Sequence, residues 1–210
     1  MKVVVIGHGG HSKVVTDIIK LTKGLDITGY LDDKYEKTQI INNIIHGPIS
    51  AVSDMKELDE NIRFVVAIGD NLMRKTVVEM LNLPNSQFVT VIHPTASISS
   101  SAKIGNGTVI MPQVVVNADT MIGNHSIINS GSVVEHDCLL EDYVHLCPKS
   151  VITGNVTLCE GAFVGSGATI IPNKRIGDWV TIGAGATVIN HIPPNCLAVG
   201  TPAKEKLKIK

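Results

Sequence analysis

Residues 121–152 read MIGNHSIINSGSVVEHDCLLEDYVHLCPKSVI, and their spacing decides the fold. Stepping by six from Ile122 gives Ile128, Val134, Leu140, Leu146 and Ile152. The same step continues upstream through Val116, Ile110, Ile104 and Ile98 to Ile92, and downstream through Leu158, Val164, Ile170, Ile176 and Ile182 to Val188. All seventeen positions are Ile, Leu or Val. With a background of about 30% for those types, the odds of this by chance are on the order of 10⁻⁹. Two residues before each aliphatic stands a mostly small residue, such as Thr120, Ser126, Ser132, Cys138 or Ser150. Glycine often follows the aliphatic, as at Gly105, Gly123, Gly165, Gly177 and Gly183. A period of six fits neither a helix nor a flat strand. It fits a three-sided coil in which each hexad supplies one short strand and one corner, three hexads making an eighteen-residue turn. The aliphatic fills the prism and the small residue fits the corner. Glycine at the next position is expected to take up the turn dihedrals. Lys174 breaks the small-residue rule, so a distorted corner is expected there.

Composition agrees with an aliphatic β-structure. Aromatics make up 3% of the chain and hydrophobic residues 44%. Lys and Arg total 18 against 19 for Asp and Glu, with both signs dispersed, so a nucleic-acid partner is not expected. No apolar run approaches the roughly 20 residues of a membrane span, and Val3 to Ile6 is too short for a signal peptide. A cytoplasmic protein is expected. Cys138, Cys147, Cys159 and Cys196 show no CxxC spacing and read as buried free thiols.

The first ninety residues follow another grammar. Lys2 to Ile6 is an apolar strand, Gly7-His8-Gly9-Gly10-His11-Ser12 a glycine-rich turn, and Lys13 to Thr22 a helix by its apolar spacing. Ile27 to Leu31 and Arg63 to Ile68 are further strands, ending at Asp32-Asp33 and Gly69-Asp70-Asn71, with a helix from Met73 to Leu81. This is a small Rossmann-like βαβ domain, placed at residues 1–88, followed by a left-handed parallel β-helix over 89–210. The turn lacks the third glycine of a dinucleotide fingerprint, having Ser12 there. A helix N-terminus that cradles a diphosphate, with Asp32 or Asp33 accepting from a base or ribose, describes a nucleotide-sugar site instead.

With both halves read, the chain resembles the hexapeptide-repeat family of bacterial sugar O- and N-acetyltransferases, which includes the sialic acid O-acetyltransferases and the UDP-4-amino-sugar N-acetyltransferases of bacillosamine synthesis. The marks are the opening VVVIGHGGHSKVV, the strand end GYLDD, the AIGDN segment, the SVVEHDCLLEDYVHLCPKSVITGNV stretch and the closing VGTPAK. The resemblance implies acetyl-CoA as co-substrate, no metal, a homotrimer, and a UDP-linked 4-amino-sugar acceptor, with sugar O-acetylation as the alternative. It assigns the general base to His136, with Asp137 supporting it, one methylene shorter than the Glu usual in the bacillosamine branch. It assigns acetyl-CoA contacts to His145 and to the main chain near Ser166 and Ala184. Nucleotide-sugar contacts fall on Gly9, Gly10, His11, Asp32, Asp33 and Gly69.

Coil arithmetic supports His136 independently. It stacks on Ala118 and Gly154, eighteen residues to either side, which leaves room around the ring, and Glu135 and Asp137 flank it so that a carboxylate can hold the imidazole. Cys138, in the interior register, is a poor candidate for an acyl-enzyme nucleophile. Lys174, Arg175, Lys204 and Lys206 are candidate contacts for the phosphates of CoA. Two other classes compete. A γ-class carbonic anhydrase uses the same scaffold with three histidines on zinc, but the spacing of His125, His136 and His145 does not stack them. A non-catalytic scaffold is the other.

Overall fold

The computed structural model describes residues 1–207 and divides the chain into Met1–Pro94 and Thr95–Lys210. The first unit is a five-stranded sheet. Strand β1 (Lys2–Ile6) runs parallel to β2 (Asp26–Leu31) on one side and to β5 (Arg63–Val66) on the other. Strand β4 (Ile44–Gly47) extends the sheet parallel to β2, and β3 (Gln39–Ile41) closes it antiparallel. Helices α1 (Gly10–Leu21), α2 (Val52–Leu58) and α3 (Asn71–Leu81) complete the unit. Val3 to Ile6 are fully buried, as their unbroken apolar run requires of a central parallel strand. Because the chain departs from β1 in opposite senses toward β2 and β5, a crevice opens at the carboxyl ends of these strands. Gly7 makes the exit from β1 at a φ of +91°, and a Cβ there would lie 2.9 Å from Ile68 Cγ1.

The second unit is the expected prism. Two-residue parallel strands repeat every six residues and pair with strands eighteen residues away, forming three faces. The first face begins at Ser97–Ile98 and ends at Thr187–Val188. The second runs from Lys103–Ile104 to Arg175–Ile176. The third includes Val109–Ile110, His145–Leu146 and Thr181–Ile182 and continues through Cys196–Val199. Each rung is tied to the next by backbone bonds such as Val133 N–H to the Ser150 carbonyl (3.0 Å) and Glu135 N–H to that of Ile152 (2.8 Å). From Ile110 to Val188 the repeat aliphatics are at most 3% exposed, whereas Ile92, Ile98 and Ile104 are half-buried.

Three expectations about the corners need revision. The small register serves more than space. Thr108 Oγ1 donates to the Gly123 carbonyl (2.8 Å), Thr120 Oγ1 to that of Glu135 (2.9 Å) and Ser132 Oγ to that of Cys147 (3.0 Å), so hydroxyls satisfy corner carbonyls of the next coil. The glycines after the aliphatics do not carry the turn dihedrals. They are there for proximity: a Cβ on Gly105 would come within 2.6 Å of the Gly123 backbone, and one on Gly123 within 2.7 Å of the Glu141 and Asp142 backbone. The left-handed residue comes two positions later, at Gln113, Asp119, His125, Asp137, Tyr143, Lys149 and Asn155, all with φ between +53° and +60°. The corner before Lys174 is milder than expected. Pro172-Asn173 forms a bend in place of a hydrogen-bonded turn, Asn173 keeps the left-handed φ of +62°, and Thr157 N–H still reaches the Lys174 carbonyl (2.9 Å).

Candidate active site and nucleotide-sugar cavity

His136 lies on the edge between the first and second faces, exposed to solvent. Its main chain is pinned by Asn155 N–H, which donates to its carbonyl (3.0 Å). Its Nδ1 lies 2.7 Å from Asp137 Oδ2. The left-handed corner conformation of Asp137, φ +59°, carries that carboxylate. In the tautomer whose Nδ1–H donates to that carboxylate, Nε2 carries the lone pair, as a base requires. The ring lies over Gly154, where a Cβ would come within 2.7 Å of both Cε1 and Nε2. The bare neighbour inferred from coil arithmetic is therefore the floor of the imidazole.

Glu135 does not hold the imidazole. Its Oε2 accepts from Asn117 Nδ2 (2.8 Å), the residue stacked one coil before it, because the two side chains share a column on the first face. His145 is buried, 7% exposed, on the third face. Its ring meets Phe163 edge-on at 5.1 Å, and its Nε2 lies 3.4 Å from Asn129 Nδ2. Ser166 and Ala184 are exposed and stacked, on the edge between the third and first faces. Within one chain, then, His136 and the main-chain positions expected to meet acetyl-CoA occupy different edges of the prism. The four basic residues form no single patch. Arg175 starts a strand of the second face, right after Lys174, whereas Lys204 and Lys206 lie on a terminal strand, Lys204–Leu207, paired antiparallel with Cys196–Val199 on the third face. Burial raises the Cys138 thiol above its ordinary pKa, and its Sγ donates to the Thr153 carbonyl (3.2 Å), which suits a structural thiol. All four cysteines are free and buried. His125 is 1% exposed at another corner and stacks on Tyr143, so the three histidines of the carbonic anhydrase reading point to three separate parts of the coil. Along the second face runs an open hollow of about 530 Å³, lined by Met121, Leu139 and Glu141 among others, with Met121 49% exposed.

In the first unit, the six positions expected to contact the nucleotide sugar converge. Gly9, Gly10, His11, Asp32, Asp33 and Gly69 line one cavity of about 390 Å³ at the carboxyl ends of β1, β2 and β5. Added Cβ atoms on Gly9, Gly10 and Gly69 would meet nothing within 4 Å, so neither packing nor φ demands glycine there. Gly9 caps α1 without any side-chain bond to its amides, and Ser12, fully buried, turns its hydroxyl back to the Gly9 carbonyl (2.8 Å). By contrast, α3 is closed by its own Asp70, whose Oδ1 accepts from Met73 N–H (2.8 Å). The open helix end at this cavity is that of α1.

The acidic pair is partly committed. Asp32 accepts from His8 N–H (2.5 Å) and Lys34 N–H (3.0 Å), and Asp33 Oδ1 from Ile49 N–H (3.1 Å). Burial pushes the Asp32 carboxyl up, but those amides and the Lys34 charge outweigh it and hold the group below its usual range. Burial, aided by Arg74, lowers His11 to about 4, so it is a neutral imidazole at pH 7. His8 stacks on Tyr30 at 4.3 Å and shares the Tyr35 hydroxyl with His46 (2.6 and 3.2 Å), which fixes the glycine-rich turn from behind. The sequence signal for this support is the Tyr30 and Tyr35 pair around the acidic strand end.

Known proteins match the chain in the same two parts. The family described as PglD N-terminal domain matches residues 2–81, and that described as bacterial transferase hexapeptide (six repeats) matches residues 101–136. The curated UDP-N-acetylbacillosamine N-acetyltransferase of Bacillus subtilis (strain 168) is 43% identical over 106 residues, 50% of this chain and 49% of that protein, so the alignment spans about half of that relative's length. PerB from Caulobacter crescentus, solved in complex with CoA and GDP-perosamine, has a TM-score of 0.88 and 37% identity over 98% of this chain and 97% of that one. The acetyltransferase domain of PglB from Neisseria gonorrhoeae FA1090, in complex with acetyl coenzyme A, has a TM-score of 0.86 and 33% identity over 98% of each chain. Fold and site together define a hexapeptide-repeat acyltransferase. Within that class, the chain belongs to the sugar N-acetyltransferase family whose members join a PglD-type N-terminal domain to a left-handed β-helix. No described helix is long and apolar enough to cross a membrane.

Proposed function

We propose that the protein transfers the acetyl group of acetyl-CoA to the amine of a nucleotide-linked 4-amino-sugar, by direct attack with His136 as general base. The observation that carries this reading is the imidazole itself: Nδ1 is held by Asp137 at 2.7 Å and Nε2 is free above Gly154. In this mechanism, Nε2 takes the proton from the attacking amine as its lone pair adds to the thioester carbonyl, and the collapse of the adduct expels the thiolate of CoA. Such general-base assistance is worth about 10²–10⁴-fold. The remainder comes from holding two substrates together. The N-terminal cavity takes the nucleotide diphosphate, its phosphates on the uncapped α1 terminus and its base or ribose toward Asp33, the more exposed of the two carboxylates. The relatives named for N-acetylation favour an amine over the hydroxyl of the sialic acid type.

A homotrimer accounts for the separation of His136 from Ser166 and Ala184. Three prisms packed side by side place one chain's base edge against another chain's opposite edge, and each cleft so formed takes one acetyl-CoA. The apolar side chains exposed along the second face, Met121 and Leu139, suit such packing. The supply of acetyl-CoA and nucleotide sugars puts this chemistry in the cytoplasm. In a thiol-release assay with acetyl-CoA and a panel of UDP- and GDP-linked amino and non-amino sugars, turnover appears only with the amino-sugars. His136→Ala loses about 10²–10⁴-fold in kcat and keeps acetyl-CoA binding. Near-normal turnover of that variant removes His136 from the mechanism.

A further inference from the structure

Arg74 is 1% exposed, the largest of the fully buried side chains, and the reaction scheme above makes no use of it. It lies on α3, one turn past the loop that follows β5. Its Nη1 donates to three consecutive carbonyls, those of Ile68 (2.9 Å), Gly69 (3.2 Å) and Asp70 (3.4 Å), and its Nη2 donates to Asn71 Oδ1 (2.9 Å). Ile68 and Gly69 both line the nucleotide-sugar cavity.

We propose that Arg74 is a positioning residue for nucleotide-sugar recognition: its buried guanidinium gathers the carbonyls of Ile68, Gly69 and Asp70 behind the cavity wall and cancels their negative potential where the substrate's diphosphate is held. This rests on the nucleotide-sugar reading of that cavity. Three carbonyl dipoles converging at one place repel each other and any nearby anion unless a cation sits among them. A guanidinium does this with bonds in several directions at once, which a single ammonium does not. The same charge acts on His11 across the cavity wall. Burial is the first cause of its lowered pKa and Arg74 the second, so His11 meets the diphosphate as a neutral N–H donor and the fixed cation is Arg74.

The experiment compares wild type, Arg74→Lys and Arg74→Met. UDP and GDP serve as calorimetric probes, and kinetics are run with a nucleotide 4-amino-sugar. Arg74→Met is expected to weaken UDP or GDP binding about 30-fold and to raise KM for the nucleotide sugar in step, leaving kcat at saturation within about 3-fold and KM for acetyl-CoA unchanged. Arg74→Lys keeps the charge without the fork and recovers part of the loss. In Arg74→Met the His11 resonance titrates higher than in wild type, moving from about 4 toward 6.5. Unchanged UDP and GDP affinity in Arg74→Met overturns the inference, as does an equal loss toward acetyl-CoA, which marks a general structural defect. Should both variants fail to fold, Asn71→Ala decides, since it removes only the side-chain partner of Nη2. Weakened UDP or GDP binding with KM for acetyl-CoA unchanged supports the inference, and unchanged affinity overturns it. Wild type that binds neither UDP nor GDP overturns the reading of the cavity itself, and the Arg74 inference with it.

Discussion

Replacing Gly154 by Ala tests the site without touching any group that performs chemistry. The added Cβ would lie 2.7 Å from His136 Cε1 and Nε2 and 3.4 Å from Cδ2. Ordinary carbon contacts lie at about 3.5–4.0 Å, so the ring has to withdraw by about 1 Å. A displacement of that size costs on the order of 10²-fold when it separates a base from its substrate. The fold has little reason to object. Gly154 is not in the left-handed region, and the imidazole it meets is exposed, with solvent to withdraw into. Gly→Ala at a compatible φ tends to stabilise by about 0.4–1 kcal/mol, through the unfolded chain. The expectation is a loss of about 10²-fold in kcat, an unchanged KM for acetyl-CoA, and a melting temperature equal to wild type or slightly above it. Thiol release and thermal unfolding measure both halves. If kcat stays within 2-fold, His136 does not act from the position seen over Gly154. If the melting temperature instead falls by several degrees, the glycine is there for the backbone and the steric argument is wrong.

Asp137→Asn keeps a side chain that tolerates the left-handed φ and accepts from Nδ1–H, but removes the charge. It should lower kcat by about 10–100-fold with melting temperature unchanged, and full activity would show that the carboxylate charge is idle. His11 makes stability depend on pH. The unfolded imidazole titrates near 6.5 and the folded one at about 4, so between those values the unfolded chain binds a proton that the native state refuses. Stability from this group is flat above pH 6.5 and falls by about 2–3 kcal/mol as pH drops from 6.5 to 4. His8 and His46, both lowered chiefly by burial, act in the same direction. Urea titrations of wild type and His11→Gln at pH 7.5, 5.5 and 4.5 should diverge on the acid side, and parallel curves would disprove the assignment. Gly9→Val fills space that is open in the protein, so it should raise KM for the nucleotide sugar about 10-fold or more with unchanged folding. Unaltered KM would mean that the substrate does not approach Gly9.

The repeat was legible because period-six information is written into residue spacing: an aliphatic at every sixth position has one packing solution, a closed three-sided coil, whatever lies around it. The glycine-rich turn and the two acidic strand ends were legible for a related reason, since loops at the carboxyl ends of parallel strands share a crevice by topology. Strands β3 and β4 and helix α2 were missed because they are short and carry little periodic apolar signal. Gln39–Ile41 is exposed along its whole length. The corner glycines were assigned the wrong reason, because sequence shows that a side chain is missing but not whether a dihedral or a neighbouring backbone excludes it. Tertiary structure alone decided that Asp137 holds the imidazole while Glu135 turns to Asn117, that His145 is buried, and that Arg74 stands behind the wall of the glycine-lined cavity. Those outcomes depend on which partner lies within about 3 Å in space, and spacing along the chain fixes columns and faces without fixing the direction in which a polar side chain finds its bond.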